Sequence, residues 1–488
     1  MMMRLTEKGI LRNIDWWLVA SYIVLVFIGL VNIYASIHST EVSSIFDPAG
    51  RSGKQFIWMM ISLAAAALIL FVLNPRIYES LSLPVYIGTV VLLVAVIFLG
   101  TEVKGSRSWF ELGPVRFQPA EISKIATSLL LATVMSQFGF RMGRAKDFLT
   151  VAAIVIVPML IIIAQSETGS ALVYVGFIFV LYREGLSGWV IFLIGMFIAL
   201  FILTLTVSPY AAILALAVVV TFCDAAYTGF MKQWLRIYLP VLAILAGIPF
   251  LMDYLCSLTG NPEAFIRRVD PVYILLGVSV LSIPFILFRA YRSRKLFTLL
   301  ATGAFFIGII LSFSTEFIFE KVLQDHQRQR IEVLLGMKED PSGVGYNVNQ
   351  SMIAIGSGGL LGKGFLHGTQ TTYGFVPEQS TDFIFCTIGE EWGFAGTTAV
   401  ILIYVFLIGR IIISAEKSRE AFTRIYGYCV ASCIFMHLFI NIGMTVGLMP
   451  VIGIPLPFIS YGGSSLLAFT ILLFIFIALK SNENHNFA

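Results

Sequence analysis

Long hydrophobic runs, separated by short polar segments, follow one another along almost the whole chain. About 14 of them approach the roughly 20 apolar residues that an α-helix needs to cross about 30 Å of hydrocarbon. They lie at 17–35, 56–73, 83–100, 121–137, 149–165, 169–183, 189–207, 211–227, 237–252, 272–289, 296–315, 383–411, 426–448 and 461–479. The pattern predicts an all-α, polytopic transmembrane protein, with residues 1–488 forming a single integral membrane domain.

The composition agrees with this class. Hydrophobic residues make up 58% of the 488 residues and charged residues only 12%, whereas soluble domains are about a quarter charged. The first hydrophobic run is too long for a signal peptide and lacks a small-residue cleavage site. The five cysteines show no CxxC or metal spacing. We expect a membrane environment and no nucleic-acid partner. The net charge of +4 carries little information by itself.

Basic residues follow the positive-inside rule in most connections between the predicted spans. With the N-terminus in the cytoplasm, Lys480 and four basic clusters also fall inside: 141–146, 232–236, 289–295 and 417–424. The connections that then lie outside are 36–55, 101–120, 253–271, 316–382 and 449–460. Two of these, 101–120 and 316–382, also contain many Lys and Arg residues. The basic residues in these two outer connections therefore indicate a function there, such as binding an anion outside the membrane.

The large outer connection 316–382 contains a long polar, glycine-rich stretch, 340–382. Its backbone groups would go unpaired in lipid, so it must cover the membrane surface or line a cavity. A loop of this length without an obvious helix is more often functional than connecting. It ends with two carboxylates, Glu378 and Asp382, just before hydrophobic sequence resumes. Asp382 is either a catalytic base or, like Thr381, a cap of the following helix.

Other polar residues stand inside or beside the predicted spans. Glu121 and Lys124 are three residues apart and hence on one helix face, where they form either a ligand contact or a structural ion pair. Glu167 stands either at the outer surface or at the mouth of a cavity. His437 and Asn441 share one face of an apolar helix, a spacing that favours hydrogen bonds between helices.

Prolines and glycines mark two irregular segments. The segment 447–465 contains three prolines, so it cannot be a regular helix throughout and must pack against protein or line a cavity. The glycines between 356 and 368 either let backbone N–H groups cradle a phosphate or simply form a flexible loop. Arg, Gln and carboxylates mix at 104–124 and 325–330. These residues indicate a phosphate-bearing ligand, with snorkelling at the interface as the alternative.

Seven segments, in this order, resemble the SEDS family, whose members shape, elongate and divide the bacterial wall. They are KGSRSWFELGPVRFQPAEISK, DHQRQRIEVLL, DPSGVGY, QSMIAIGSGGLLGKGFLHGTQ, FVPEQSTDFIF, GEEWGFAG and NIGMTVGLMPVIGIPLPFISYGGSS. They are closer to the RodA-type, elongation branch than to the FtsW-type, division branch. The resemblance covers about 10–207 and 296–480 and implies a core of about ten spans. Residues 208–295 would then be an insertion that adds about four spans.

The resemblance implies a peptidoglycan glycosyltransferase that polymerises lipid II during cell-wall elongation and the maintenance of cell shape. The family's essential aspartate, in the TDFIF motif, corresponds to Asp382, which would take the proton of the acceptor sugar's 4-hydroxyl. Basic residues or a divalent cation (Mg²⁺ or Mn²⁺) would neutralise the leaving diphosphate, and no further cofactor is implied. The residues that we predict to contact the substrate are Arg107, Arg116, Glu121, Lys124, Glu167, Arg328, Lys363 and Glu378.

The resemblance also implies a location and partners. The protein would be a multi-pass protein of the bacterial inner membrane, with both termini cytoplasmic, beside a class B penicillin-binding protein and other elongation proteins. Glu167 stands where relatives often have Asp, which keeps the charge and moves it by one methylene. Ser380 replaces a common His, and any role of that His cannot be transferred. A lipid II flippase and a non-catalytic scaffold for a transpeptidase stay open as alternatives.

Overall fold

The computed structural model describes residues 13–38, 44–48, 50–103, 106–112, 115–259, 270–293, 296–338 and 343–486. Within these ranges, 12 helices are long and apolar enough to cross a membrane, so the prediction of a helical, multi-pass membrane protein is confirmed. The other two predicted spans coincide with a 17-residue helix and with a pair of short consecutive helices. The count of about 14 spans therefore stays a prediction. Parts of the cluster 289–295 and of the stretch 340–382 lie outside the described residues.

The chain separates into two compact units, and the first contains Met1–Ser187 and Glu339–Ala488. Its N-terminal helices are α1 Trp16–Ile37, α2 Arg51–Phe71, α3 Arg76–Leu99, α4 Pro119–Met135, α5 Ala145–Ala164, α6 Thr168–Val175 and α7 Phe177–Arg183. Local sequence explains where two of them begin. Asp15 accepts a hydrogen bond from the backbone N–H of Trp17 at the start of α1 (3.2 Å). Pro119 occupies the first turn of α4, where its missing N–H leaves no bond unmade.

A small β-sheet connects α3 to α4, where the sequence suggested only a loop. Its strands are β1 Thr101–Val103, β2 Ser106–Leu112 and β3 Val115–Phe117, in the antiparallel order β1-β2-β3. Charged residues stand opposite each other in both pairings, Glu102 against Arg107 and Glu111 against Arg116. Such cross-strand pairs of opposite charge stabilise short strands.

The second unit is Gly188–Lys338. Its α-helices of more than three residues are α8 Gly188–Thr206, α9 Pro209–Thr228, α10 Leu239–Thr259, α11 Pro271–Ser293, α12 Leu296–Phe317 and α13 Asp325–Leu334. Two π-helical segments, Trp234–Tyr238 and Ile318–Val322, also belong to this unit. The described part of 208–295 holds three long helices, α9 to α11, one fewer than predicted; that it is an insertion stays a prediction. Helix α9 has clear ends, because Ser208 accepts from the N–H of Ala211 (3.1 Å) and Gly229 adopts a φ of +79° after its last turn. Its apolar face packs in a cluster that includes Ile213, Leu245, Leu275 and Ile309.

The remaining helices complete the first unit. They are α14 Val344–Ser357, α15 Thr369–Thr372, α16 Ile384–Glu416, α17 Ala421–Thr445 and α18 Gly463–Asn486. Helices α13, α14 and α15 lie in the connection 316–382, so the expectation of a loop without a helix is wrong. Helix α17 is deeply placed, with 78% of its most apolar 18-residue stretch buried. The segment 446–462, here called the proline loop, contains no regular helix, as its three prolines predict.

Candidate active site

Asp382 lies in the turn that leads into α16. Glu378 shapes this turn with a backbone φ of +51°. Its carbonyl accepts hydrogen bonds from the backbone N–H groups of Thr381 (3.1 Å) and Phe383 (3.2 Å). The N-cap residue of α16 is Phe383, whose side chain has no polar atom for capping. Neither Asp382 nor Thr381 occupies the N-cap position of α16.

Three consecutive main-chain carbonyls of this turn are held by other parts of the chain. The carbonyl of Ser380 accepts from the backbone N–H of Tyr461 (2.9 Å), and that of Thr381 accepts from Oγ of Ser460 (2.6 Å). The carbonyl of Asp382 accepts from Nδ2 of Asn441 on α17 (2.8 Å). The path of the main chain through residues 380–382 is therefore fixed by the proline loop and by α17.

Asn441 also fixes the proline loop against the same turn. Its Nδ2 donates a second hydrogen bond, to the carbonyl of Ile454 (2.7 Å), and the residue is fully buried. Gly453, next to Ile454, has a φ of +78°, and a Cβ there would stand 3.2 Å from Oδ2 of Asp382. Glycine is thus needed for both conformation and space. The Asp382 carboxylate lies directly against the backbone of the proline loop.

Arg51, in the first turn of α2, brings a positive charge to this turn. Its Nη1 donates to Oγ of Ser380 (2.9 Å), two residues before Asp382. Gln55, one helical turn further along, accepts from the N–H of Gly462 through Oε1 (3.2 Å). Ser380, where the family commonly has His, is therefore a partner of Arg51. Arg51 is not among the site residues predicted from the sequence, where the available signal was its place in the predicted outer connection 36–55.

A buried ion pair on α4 is joined to α17 one helical turn from Asn441. Nζ of Lys124 lies 2.9 Å from Oε1 of Glu121 and 2.8 Å from Nε2 of His437. Nδ1 of His437 lies 3.1 Å from the carbonyl of Pro455, so a neutral ring with its proton on Nδ1 satisfies both contacts. The predicted hydrogen bond between helices is confirmed for His437, which contacts Lys124 of α4. Asn441 instead donates hydrogen bonds to two segments outside the helices, the turn at Asp382 and the proline loop. For Glu121 and Lys124 the structure contains the structural ion pair, and a substrate contact stays a prediction.

Glu167, directly before α6, connects the small sheet to the helices. Its carboxylate accepts hydrogen bonds from the hydroxyls of Ser106 (3.0 Å) and Ser108 (2.7 Å) and from Nε2 of Gln118 (3.1 Å). Three donors from the protein itself make Glu167 a residue that positions the sheet. Its predicted contact with the substrate stays a prediction.

Arg107 and Arg116 lie on β2 and β3, and their positive charges are at the surface of the small sheet. Nε of Arg107 lies 3.4 Å from Oε2 of Glu102, and Nε of Arg116 lies 2.9 Å from Oε1 of Glu111. The two arginine side chains are 59% and 64% exposed, and ion pairs of that kind contribute little to stability. Each guanidinium can therefore exchange its carboxylate for a phosphate at small cost, and both residues stay candidates.

The glycine-rich segment before α15 lies closely against α16. Nζ of Lys363 donates to Oε1 of the buried Glu390 (2.7 Å). The backbone N–H groups of Lys363 and Gly364 donate to the carbonyls of Glu390 and Glu391 (both 3.0 Å). At Gly362, with a φ of +80°, a Cβ would stand 2.1 Å from the carbonyl oxygen of Glu391. Because these amides are bound to α16, the predicted phosphate cradle is wrong for them, and the glycines serve close packing.

Arg328 belongs to the second unit. Its Nε pairs with Oε1 of Glu332 (2.8 Å), and its guanidinium lies 5.3 Å from the ring centre of Phe319. Both partners are local, and a role toward phosphate stays a prediction. Within the first unit the predicted residues fall into four sets: Glu378 with Asp382 at the turn; Glu121 with Lys124, linked to α17; Arg107, Arg116 and Glu167 on or against the sheet; and Lys363, paired with Glu390 of α16, whose contact with the substrate stays a prediction.

The fold is that of a multi-pass membrane protein whose polar centre is built from buried helix side chains and a proline-rich loop. The family model described as cell cycle protein (FTSW_RODA_SPOVE) matches residues 15–237 and 273–485. The chain therefore belongs to this family, also known as the SEDS family.

Two relatives show the extent of the similarity. The chain is 30% identical over 394 residues to the peptidoglycan glycosyltransferase MrdB of Escherichia coli K12, covering 80% of this chain and 76% of MrdB. It is 28% identical over 454 residues to the peptidoglycan glycosyltransferase RodA of Treponema pallidum, covering 93% of this chain and 94% of RodA. The similarity extends along most of both proteins.

Solved structures share the fold. A mutant of the rod shape determining protein RodA of Thermus thermophilus superimposes with a TM-score of 0.54 at 20% identity, covering 96% of this chain and 98% of that chain. A chain from a study of polymerization and crosslinking by a peptidoglycan synthase complex gives a TM-score of 0.58 at 21% identity, with the same coverage. At these identities the likeness concerns the fold alone.

Proposed function

We propose that this protein is a peptidoglycan glycosyltransferase that polymerises lipid II during cell-wall elongation, with Asp382 as its general base. The observation that carries the proposal is the turn at 380–382, where three carbonyls are bound and the Asp382 carboxylate lies against Gly453. The membership of the chain in a family that includes the glycosyltransferases MrdB and RodA supports it.

In the reaction, the 4-hydroxyl oxygen of the acceptor sugar forms a bond to the anomeric carbon of the donor. The bond from that carbon to the diphosphate oxygen breaks, and its electron pair leaves with the diphosphate. Asp382 takes the hydroxyl proton as the new bond forms. A positioned base of this kind contributes typically about 10²–10⁴-fold to the rate. Its efficiency depends on orientation, which a fixed main chain provides before the substrate arrives.

The leaving diphosphate requires positive charge. Arg51 donates a hydrogen bond to Ser380, which places its positive charge at this turn. A guanidinium can bind phosphate oxygens through two parallel N–H donors. Among the described residues, no three His, Cys, Asp or Glu side chains come together in a way that could hold a metal ion. Mg²⁺ is usually held by one or two carboxylates together with substrate phosphates, so a cation bound in that way stays a prediction beside the positive charge of Arg51.

The experiment compares purified variants for their ability to lengthen glycan chains from lipid II in proteoliposomes. Asp382→Asn keeps the side-chain size and all three main-chain bonds but removes the base, so polymerisation should fall about 10²-fold or more. Asp253→Asn, the same change at an exposed residue of α10 in the second unit, is the matched control and should polymerise normally.

Two results would contradict the proposal in different ways. Near-normal polymer from the Asp382→Asn variant would exclude Asp382 as the base while leaving the enzyme intact. A wild-type protein that moves lipid II across the bilayer without polymerising it would exclude the glycosyltransferase and favour the flippase.

We also propose that both termini are cytoplasmic and that a class B penicillin-binding protein and elongation proteins are the partners. The alternation of basic clusters supports the orientation, and the likeness to a chain of a peptidoglycan synthase complex supports the partner. In a variant without the native cysteines, Arg116→Cys should react with an impermeant maleimide added to intact cells, and Lys417→Cys should not. The reverse labelling would show that the orientation is opposite to the proposed one. Failure of a class B transpeptidase to co-purify would exclude it as the partner.

A further inference from the structure

An apolar groove of about 730 Å³ lies between α3, α4 and α5 in the first unit. The side chains that line it include Leu83, Val91, Val134, Leu149, Ala153 and Val157. None of the residues to which we assign a part in the reaction lines this groove. It therefore needs an explanation that the glycosyltransferase chemistry does not supply.

One end of the groove is cationic. Lys146 and Thr150 line it beside the apolar residues, and they belong to the first two turns of α5. Arg141 and Arg144 stand in the turn just before that helix and are exposed. The opposing charge is Asp147, whose Oδ2 accepts a hydrogen bond from the backbone N–H of Arg141 (3.1 Å). Three positive charges against one negative charge leave this end with an excess of positive charge.

We propose that this groove binds an anionic phospholipid of the surrounding bilayer, with an acyl chain along the apolar wall and the phosphate at Lys146. An apolar groove on a membrane helix has no water to fill it, and an acyl chain supplies the missing contacts. A lysine ammonium is a compact charge suited to phosphate. The first N–H groups of a helix such as α5 have no partner within the helix, which favours an anion at the same end. The excess of positive charge selects an anionic over a zwitterionic headgroup.

The test uses the full chain in nanodiscs with phosphatidylglycerol or phosphatidylcholine that carries a photoreactive group in the acyl chain. In the wild type, phosphatidylglycerol should label residues 145–157 more strongly than phosphatidylcholine. Lys146→Gln should weaken the phosphatidylglycerol labelling about five-fold and leave the phosphatidylcholine labelling nearly unchanged. Lys417→Gln changes an exposed lysine outside the groove and should change neither.

A second variant separates the groove from the charge. Ala153 lines the groove and is exposed, so Ala153→Trp fills the groove without entering the core and should reduce the labelling by both lipids. Equal labelling of the wild type by the two lipids, or no effect of Lys146→Gln, would overturn the proposal. Displacement of phosphatidylglycerol by an equimolar amount of undecaprenyl phosphate would assign the groove to the hydrocarbon chain of the substrate and also overturn it.

Discussion

Replacing Asn441 by leucine tests whether the main-chain hold on Asp382 sets the reaction rate. Leucine keeps a similar volume but removes the hydrogen bonds to the carbonyls of Asp382 (2.8 Å) and Ile454 (2.7 Å). Hydrogen bonds in membrane proteins contribute about 0.6 kcal/mol on average and about 1.7 at most, so two of them amount to about 1.2–3.4 kcal/mol. Since about 1.4 kcal/mol is tenfold, a loss expressed fully in the orientation of Asp382 lowers the rate about 10- to 300-fold.

The matched control lies on the same helix. Ser432 is also buried and donates to a main-chain carbonyl, that of Gly176, but it stands nine residues before Asn441, or about 13 Å along α17. Ser432→Ala should lower the melting temperature and leave the rate unchanged. The assay measures the initial rate of polymerisation at saturating lipid II together with the melting temperature.

The proposed role of Asn441 is refuted if the Asn441→Leu variant melts at a lower temperature and still polymerises lipid II at the wild-type rate. It also fails if Ser432→Ala loses as much activity as Asn441→Leu. In either case Asn441 would stabilise the protein without orienting the base.

Three further substitutions test the described contacts. Lys124→Met should destabilise the protein by about 3–5 kcal/mol, because it leaves the buried Glu121 carboxylate unpaired; an unchanged melting temperature would contradict this. Gly362→Ala should destabilise through its close contact and positive φ, whereas Gly356→Ala, in α14 with open space around it, should not; equal melting temperatures would refute the close packing. Glu167→Gln should loosen β2, seen as faster hydrogen exchange over residues 106–112, and unchanged exchange would show that its carboxylate does not hold the sheet.

The helices could be predicted because apolar length is a local property of the sequence. All the predicted spans coincide with helices or helix pairs, and the spacing of Glu121 and Lys124 correctly placed them on one face. Three prolines likewise excluded a regular helix between α17 and α18. In each of these cases the physical cause lies within a few residues of its effect.

The contacts that build the site join residues distant in sequence. Arg51 and Ser380 are separated by 329 positions and Asn441 and Asp382 by 59, so only the packing of helices brings each pair together. The sheet between α3 and α4 escaped prediction because two of its strands have three residues each, too few for an alternating pattern. Helices α13, α14 and α15 have 10, 14 and 4 residues. They are too short to be found by a search for long apolar runs.

The bonds that hold residues 380–382 have a consequence for how such a protein can change over time. All three use carbonyl oxygens of the main chain, and none uses the side chain at position 382. These three bonds can therefore form with any residue at position 382 whose side chain fits beside Gly453. If Asp382 is the base, as proposed, a single substitution there would stop the reaction and leave an intact membrane protein that could still bind its proposed partners. Inactive copies of this chain would thus persist as competitors or as docking platforms instead of being removed as misfolded protein.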